Sequence, residues 1–335
     1  MENKNLIIKI ICLFFFFTSC GKDQNIPYVA ELIEKIVLES QSPAEGGTPS
    51  LEDLSEAGVK YLTGEQSQYE VAISNIDPIP TTLTELQQII NDVNGDRAYL
   101  GNTKLVWSDE FDVAGTPMSS KWTYDIGANN GWGNGESQYY TARNENVIVE
   151  DGLLKITAKK ENFEGANYTS ARLKSQGIYS FTYGKVEIRA KLPSSAGTWP
   201  ALWMLGSNIT SVGWPKCGEI DFMEQKGWNK NKISAALHNE SSSGSTIHYQ
   251  EVDVPNSTSD FHVYAVDWTP YEITFSVDGN QYYTYSPADK TQINWPYNSP
   301  QFIILNVAMG GTLGGEIPED FSESSMQIDY VRVYR

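Results

Sequence analysis

Only 3 cysteines occur in 335 residues, at positions 12, 20 and 217. Two of the three fall in the first 20 residues, so no disulfide framework and no cysteine-based zinc site can be built from them. Basic residues are scarce as well: 24 Lys and Arg stand against 42 Asp and Glu, a formal net charge of −18. A nucleic-acid-binding chain needs a basic footprint, so that class of partner is excluded. Long hydrophobic runs are missing too. The apolar stretch Ile10 to Phe17 is far shorter than the ~20 residues a membrane-spanning helix needs. No repeat of solenoid period is present. Aromatic residues, by contrast, are plentiful, with 9 Trp and 19 Tyr. Their flat apolar faces and polar tips suit sugar rings, and equally suit the core and strand surfaces of a large all-β protein.

The N-terminus reads as an export signal: Lys4 and Lys9, the short apolar stretch, then Thr18, Ser19 and Cys20. Phe17-Thr18-Ser19-Cys20 resembles a bacterial lipobox, which implies lipidation of Cys20 and a bacterial outer-membrane lipoprotein; an ordinary cleaved signal peptide is the alternative. Residues 1–20 would then leave or be modified, and 21–50 form a polar tether that includes Ser42-Pro43-Ala44-Glu45-Gly46-Gly47. Residues 51–97 predict a small helical module. Thr82 and Glu85 make a capping-box pattern, and Leu83, Leu86, Ile90 and Val93 recur at helical spacing until Gly95. So short a module makes a poor core alone and is expected to pack on the larger domain that follows it or on another protein. Cys217, left without a partner thiol, is expected to be a small buried apolar residue.

From residue 103 to 335 the texture changes to short strands and tight turns. Asp151-Gly152 and Asp278-Gly279 each separate two strand-like runs, which predicts two hairpins. Lys185 to Ala190 alternates polar and apolar residues, as a half-buried antiparallel strand does. The predicted fold is all-β: a curved two-sheet β-jelly-roll sandwich preceded by the small helical module.

The chemistry is concentrated in Gly218-Glu219-Ile220-Asp221-Phe222-Met223-Glu224. In a strand Glu219 and Asp221 share a face, whereas Glu224 falls on the other. A single bulge near Phe222 and Met223 restores the parity and brings all three acids to one side. Two glutamates close together on one face can perform retaining glycoside hydrolysis, one as nucleophile and one as acid and base. The plain alternative is a solvated acidic face, against which stand the apolar residues between the acids.

Around this segment lie Thr198-Trp199-Pro200-Ala201-Leu202-Trp203-Met204-Leu205 and Gly213-Trp214-Pro215-Lys216-Cys217. With them go Trp107-Ser108-Asp109-Glu110-Phe111, residues 133–141, Tyr168-Thr169-Ser170-Ala171-Arg172 and Ile328-Asp329-Tyr330-Val331-Arg332-Val333-Tyr334. Together they resemble laminarinases of glycoside hydrolase family 16 across nearly all of 103–335. The resemblance implies an endo-acting retaining β-1,3-glucanase that needs no catalytic cofactor. Glu219 matches the family nucleophile, Glu224 the acid/base and Asp221 the residue between them. Trp199 and Trp203 match sugar-stacking positions, with strand core as the alternative. Arg172 and Asn134 match hydrogen-bonding positions beside the cleavage point. Glu136 is a cleft residue or the support of its loop, and His238 a cleft or a core histidine. Glu110, Asp329 and the carbonyl of Gly152 fall where many members hold a structural calcium, for which oxygen ligands are suited; a site without the ion is the alternative. The segment Gln225-Lys226-Gly227-Trp228-Asn229 departs from the commonest laminarinase continuation.

The implied partners are a β-glucan and, through the lipid, a membrane; a monomer is expected. Within the family a mixed-linkage β-1,3/1,4-glucanase or a galactanase stands as the alternative, and outside it a jelly-roll lectin that binds glycans without cutting them.

Overall fold

In a computed structural model, both Asp-Gly dipeptides turn the chain as their chemistry demands. Asp151 and Gly152 take φ of 56° and 73°, and Asp278 and Gly279 take 50° and 78°, the left-handed pair of a two-residue hairpin whose twist matches that of its strands. The structure describes residues 104–335. The predicted leader, Cys20, the tether and the helical module at 51–97 lie outside the described residues.

The strands are, in chain order, β1 (Leu105–Asp109), β2 (Thr123–Asp125), β3 (Gln138–Tyr140), β4 (Val147–Glu150), β5 (Leu153–Phe163) and β6 (Ala166–Ser170). Next come β7 (Arg172–Lys174), β8 (Gly184–Lys191), β9 (Thr198–Gly206), β10 (Glu219–Lys226), β11 (Asn229–His238) and β12 (Tyr249–Asp253). Then follow β13 (His262–Trp268), β14 (Ile273–Val277), β15 (Asn280–Tyr285), β16 (Gln301–Met309) and β17 (Glu323–Tyr334). Helix among the described residues is confined to short pieces such as Ile209–Val212 and Gly311–Gly314.

Two sheets result. One runs β15-β14-β13-β8-β17-β5-β6-β3, with β1 on β17 and β4 on β5; the other runs β12-β11-β10-β9-β16-β7-β2. The core lies between them and takes in Leu154, Ile156, Val186, Ile188, Leu202, Met204, Ile220 and Phe222. The expected alternation of β8 is present, every second residue from Gly184 to Ala190 being buried. This is the predicted two-sheet sandwich. The outer side of the second sheet carries the site.

Cys217 is fully buried, next to Phe302 and Ile304. Burial and the nearby Glu219 push its thiol up to about 11, so it stays an inert apolar filler.

Candidate active site

The site begins with the irregularity in β10. Against β9, Asp221 pairs with Trp203 and the next partners are Met223 and Leu202, so Phe222 is the extra residue. Against β11 the same break falls between Asp221, opposite Ala236, and Glu224, opposite Ser234. This is the bulge that the parity of the sequence requires. Ile220, Phe222 and Met223 go into the inter-sheet core, while Glu219, Asp221 and Glu224 all line the cleft.

Each outer glutamate is held by an indole. The Nε1–H of Trp214 donates to Oε2 of Glu219 at 3.2 Å, and that of Trp199 donates to Oε1 of Glu224 at 3.0 Å. His238 stands opposite Glu219 across the β10–β11 ladder. Its Nε2 approaches Asp221 Oδ2 to 3.1 Å and Glu219 Oε1 to 3.7 Å. His238 is therefore a cleft residue, which resolves the choice the sequence left open.

Burial raises all three acids, because a carboxylate loses its water there. For Glu219 burial and then the charge of Asp221 push the pKa up to about 8, with His238 and Arg172 pulling the other way. Asp221 is raised well above the usual carboxylate range by burial and by Glu224. Glu224 is raised by burial, against which His238, the Trp199 N–H and Lys226 act. Neighbouring carboxylates repel, so the three acids titrate as a unit rather than residue by residue, and a proton on one favours the ionised form of the next.

On one side of the acids the wall comes from β7, β9 and β16. The Arg172 guanidinium is layered between the indoles of Trp132 and Trp203, at 4.9 and 4.7 Å from the ring centroids, and pairs with Asp125 Oδ2 at 3.0 Å. Trp203 Nε1–H donates to Asn306 Oδ1 at 2.8 Å. Asn134 and Glu136 sit on the facing loop and line the same space. Asn129, Asn130 and Trp132 in that loop have φ of 40°, 51° and 53°, left-handed values that cost energy in non-glycine residues and cluster where ligands are clamped. On the other side lie Lys226, Tyr249, Thr246 and Thr312. Lys226 is ion-paired with Glu251, which also accepts from the Tyr249 hydroxyl at 2.5 Å.

The sequence-predicted residues mostly converge here, with one change of emphasis. Trp199 is only 9% exposed and its edge serves Glu224, while one face of Trp203 is taken by Arg172. The open indole is Trp214, 49% exposed. Trp214, Trp132, Asn306, Lys226 and Tyr249 were not singled out from the sequence. Trp132 had a visible signal: a tryptophan among glycines and asparagines has no strand to bury it.

Glu110, Gly152 and Asp329 are brought around one stretch of β17, since Asp109 pairs with Val331 and Leu154 with Ile328. Both side-chain carboxylates are engaged there, Glu110 with Arg332 at 2.8 Å and Asp329 with Arg189 at 2.6 Å. A dication held there would share each of these carboxylates with a guanidinium. Among the described residues, Glu219, Asp221 and His238 bring three metal-capable atoms within 4.8 Å of one another. The acid pair itself needs no catalytic cofactor.

Comparison with known proteins agrees with this geometry. Residues 134–332 match the family described as glycosyl hydrolases family 16. A β-glucanase of Rhodothermus marinus is 46% identical over 245 residues, covering 69% of this chain and 85% of that protein. Glucan endo-1,3-β-glucosidase A1 of Niallia circulans is 37% identical, over 70% of this chain and 38% of that longer protein. The crystal structure of a laminarinase from Flavobacterium sp. UMI-01 superposes with a TM-score of 0.65 at 44% identity, covering 69% of this chain and all (100%) of that one. With acids, bulge, cleft and relatives in agreement, this chain belongs to glycosyl hydrolase family 16.

Proposed function

We propose that the chain is an endo-acting, retaining β-glucanase that cuts β-1,3-linked glucan, with Glu219 as nucleophile and Glu224 as acid and base. One observation carries the reading: the bulged strand presents three acids midway along a cleft that continues on both sides of them. A chain can lie across such a cleft and be cut internally. A Glu219 oxygen attacks the anomeric carbon as the bond to the leaving oxygen breaks, and that oxygen takes the proton of Glu224. Glu224, now ionised, takes a proton from water, whose oxygen displaces Glu219 and restores the β configuration. Asp221 lies between them and, with His238, holds Glu219 in place. Acids and both halves of the cleft come from one chain, so a monomer suffices.

The names of the relatives support a β-1,3-glucan substrate. Relatives named endo-1,3-1,4-β-glycanases support a mixed-linkage β-1,3/1,4-glucan as the second substrate. Product profiles on laminarin, lichenan and agarose decide: laminarin should yield a ladder of short oligosaccharides, and release of glucose alone would rule out internal cutting. Cleavage of agarose but not laminarin would overturn the substrate assignment.

For location, the lipobox-like Phe17-Thr18-Ser19-Cys20 supports a lipid-anchored, outer-membrane protein. Cys20→Ala should move the activity from the membrane fraction to the soluble one, because retention rests on the acyl chains. A variant that stays with the membrane contradicts the anchor.

A further inference from the structure

The loop facing the acids carries a hydrogen-bond chain whose direction can be read without ambiguity. It starts on the cleft floor, where Trp203 Nε1–H donates to Asn306 Oδ1 at 2.8 Å. An indole N–H can only donate, so Asn306 has its oxygen toward Trp203 and its amide nitrogen free to donate onward. It does so to the Tyr140 hydroxyl at 3.2 Å, and Tyr140 in turn donates to Glu136 Oε2 at 3.2 Å. Gln138 also donates to Oε2, at 2.7 Å, and its own oxygen accepts from the backbone N–H of Met309 at 2.7 Å. Gln138 and Tyr140 are both fully buried, so neither can turn to water for another partner. The other oxygen of the carboxylate, Oε1, accepts from Asn134 Nδ2 at 3.1 Å.

Everything in this chain points toward Glu136. An ionised carboxylate accepts and cannot donate, so Asn134 must present its amide nitrogen to Glu136. Its carbonyl oxygen is then the group left for the cleft. We propose that Glu136 is a positioning residue that sets the polarity of the cleft rim: it makes Asn134 an acceptor, which takes a proton from a sugar hydroxyl, and does not itself need to touch the sugar. The proposal rests on the glucanase reading above and specifies how one rim position selects its ligand. A hydroxyl is matched there; a group that offers only lone pairs is not.

The arrangement predicts an inversion. In Glu136→Gln the new side-chain oxygen stays where two donors, Gln138 and Tyr140, converge, so its amide nitrogen faces Asn134. Asn134 must then turn over and show its NH₂ to the cleft. Adding Asn134→Asp restores an acceptor on both sides, because one aspartate oxygen meets the introduced amide N–H and the other faces the sugar. Steady-state kinetics on laminarihexaose, with melting curves for each variant, tests this. Glu136→Gln should raise KM about tenfold, the worth of one mismatched hydrogen bond, with kcat within about twofold. The double variant should recover most of that loss. Asn134→Asp alone sets two carboxylates face to face and should be worse than Asn134→Ala.

An unchanged KM in Glu136→Gln, or a double variant no better than that single one, overturns the proposal. A merely structural Glu136 would show lowered melting without rescue. If Glu136→Gln fails to fold, the pair Asn134→Asp and Asn134→Ala decides alone, and an aspartate variant with a wild-type KM refutes the idea. Absence of laminarihexaose cleavage by the wild type would remove the glucanase reading and this proposal together, whereas cleavage without rescue removes only the proposal.

Discussion

Glu219 and Glu224 resemble each other closely at the level of contacts: both are raised by burial and each accepts from one indole N–H. Their roles separate through the leaving group. A nucleophile is needed whatever departs, whereas an acid is needed only if the departing oxygen is basic. Glu219→Gln should therefore lower turnover by several orders of magnitude on both laminarin and an aryl β-laminaribioside. Glu224→Gln should do so on laminarin while still forming the glycosyl-enzyme quickly from the aryl substrate, seen as a burst of released phenol. The burst appearing in the Glu219 variant instead would exchange the two roles. The bulge was readable in the sequence, because acids spaced by two and five can share a face only with one extra residue, whereas their roles came from the family resemblance. The layering of Arg172 between Trp132 and Trp203 was not readable, since it depends on β7 lying beside β16 and on a loop whose φ values no local pattern announces.

At the scale of elements, the turn from β10 to β11 is built against the glycine-rich segment that follows β16. A Cβ at Gly227 would lie 1.8 Å from the carbonyl oxygen of Gly314, so only glycine lets the two backbones meet, and Gly227 N–H donates to Leu313 O at 2.7 Å. Just beyond, Lys230 turns its ammonium inward to Thr198 Oγ1 at 2.7 Å and Gln225 Oε1 at 3.3 Å, joining β11 to the start of β9. Burial lowers its pKa to about 7. The unfolded chain, near 10.5, holds more protons than the folded one between those values, so this group's contribution to stability is full above about 10.5 and is lost as pH falls toward 7. Lys230→Met should remove that slope. Denaturant unfolding at pH 7 and pH 10 should show the wild type gaining on the variant by about 3–4 kcal/mol at the higher pH; an equal difference at both would contradict the burial. Hairpins, the alternating β8 and the bulge were legible in advance because each is a local matter of turn chemistry or side-chain parity. The strand order was not, because it is set by partners distant in sequence, such as β8 between β13 and β17.

Across the whole molecule, the two-sheet sandwich serves as a rigid plate for one bulged strand. The acidic net charge of −18 suits a neutral polysaccharide no better than many other ligands, and it is the cleft that gives the substrate its shape. The central claim is that two carboxyls on one face act in succession on the same anomeric carbon. A close pair forces double displacement, and two inversions restore the starting configuration. The most direct test is proton NMR of the reducing ends formed in the first minutes of laminarin hydrolysis, before mutarotation mixes the anomers. The account predicts that the β anomer appears first and the α anomer grows in later; α-configured ends present from the start would contradict it.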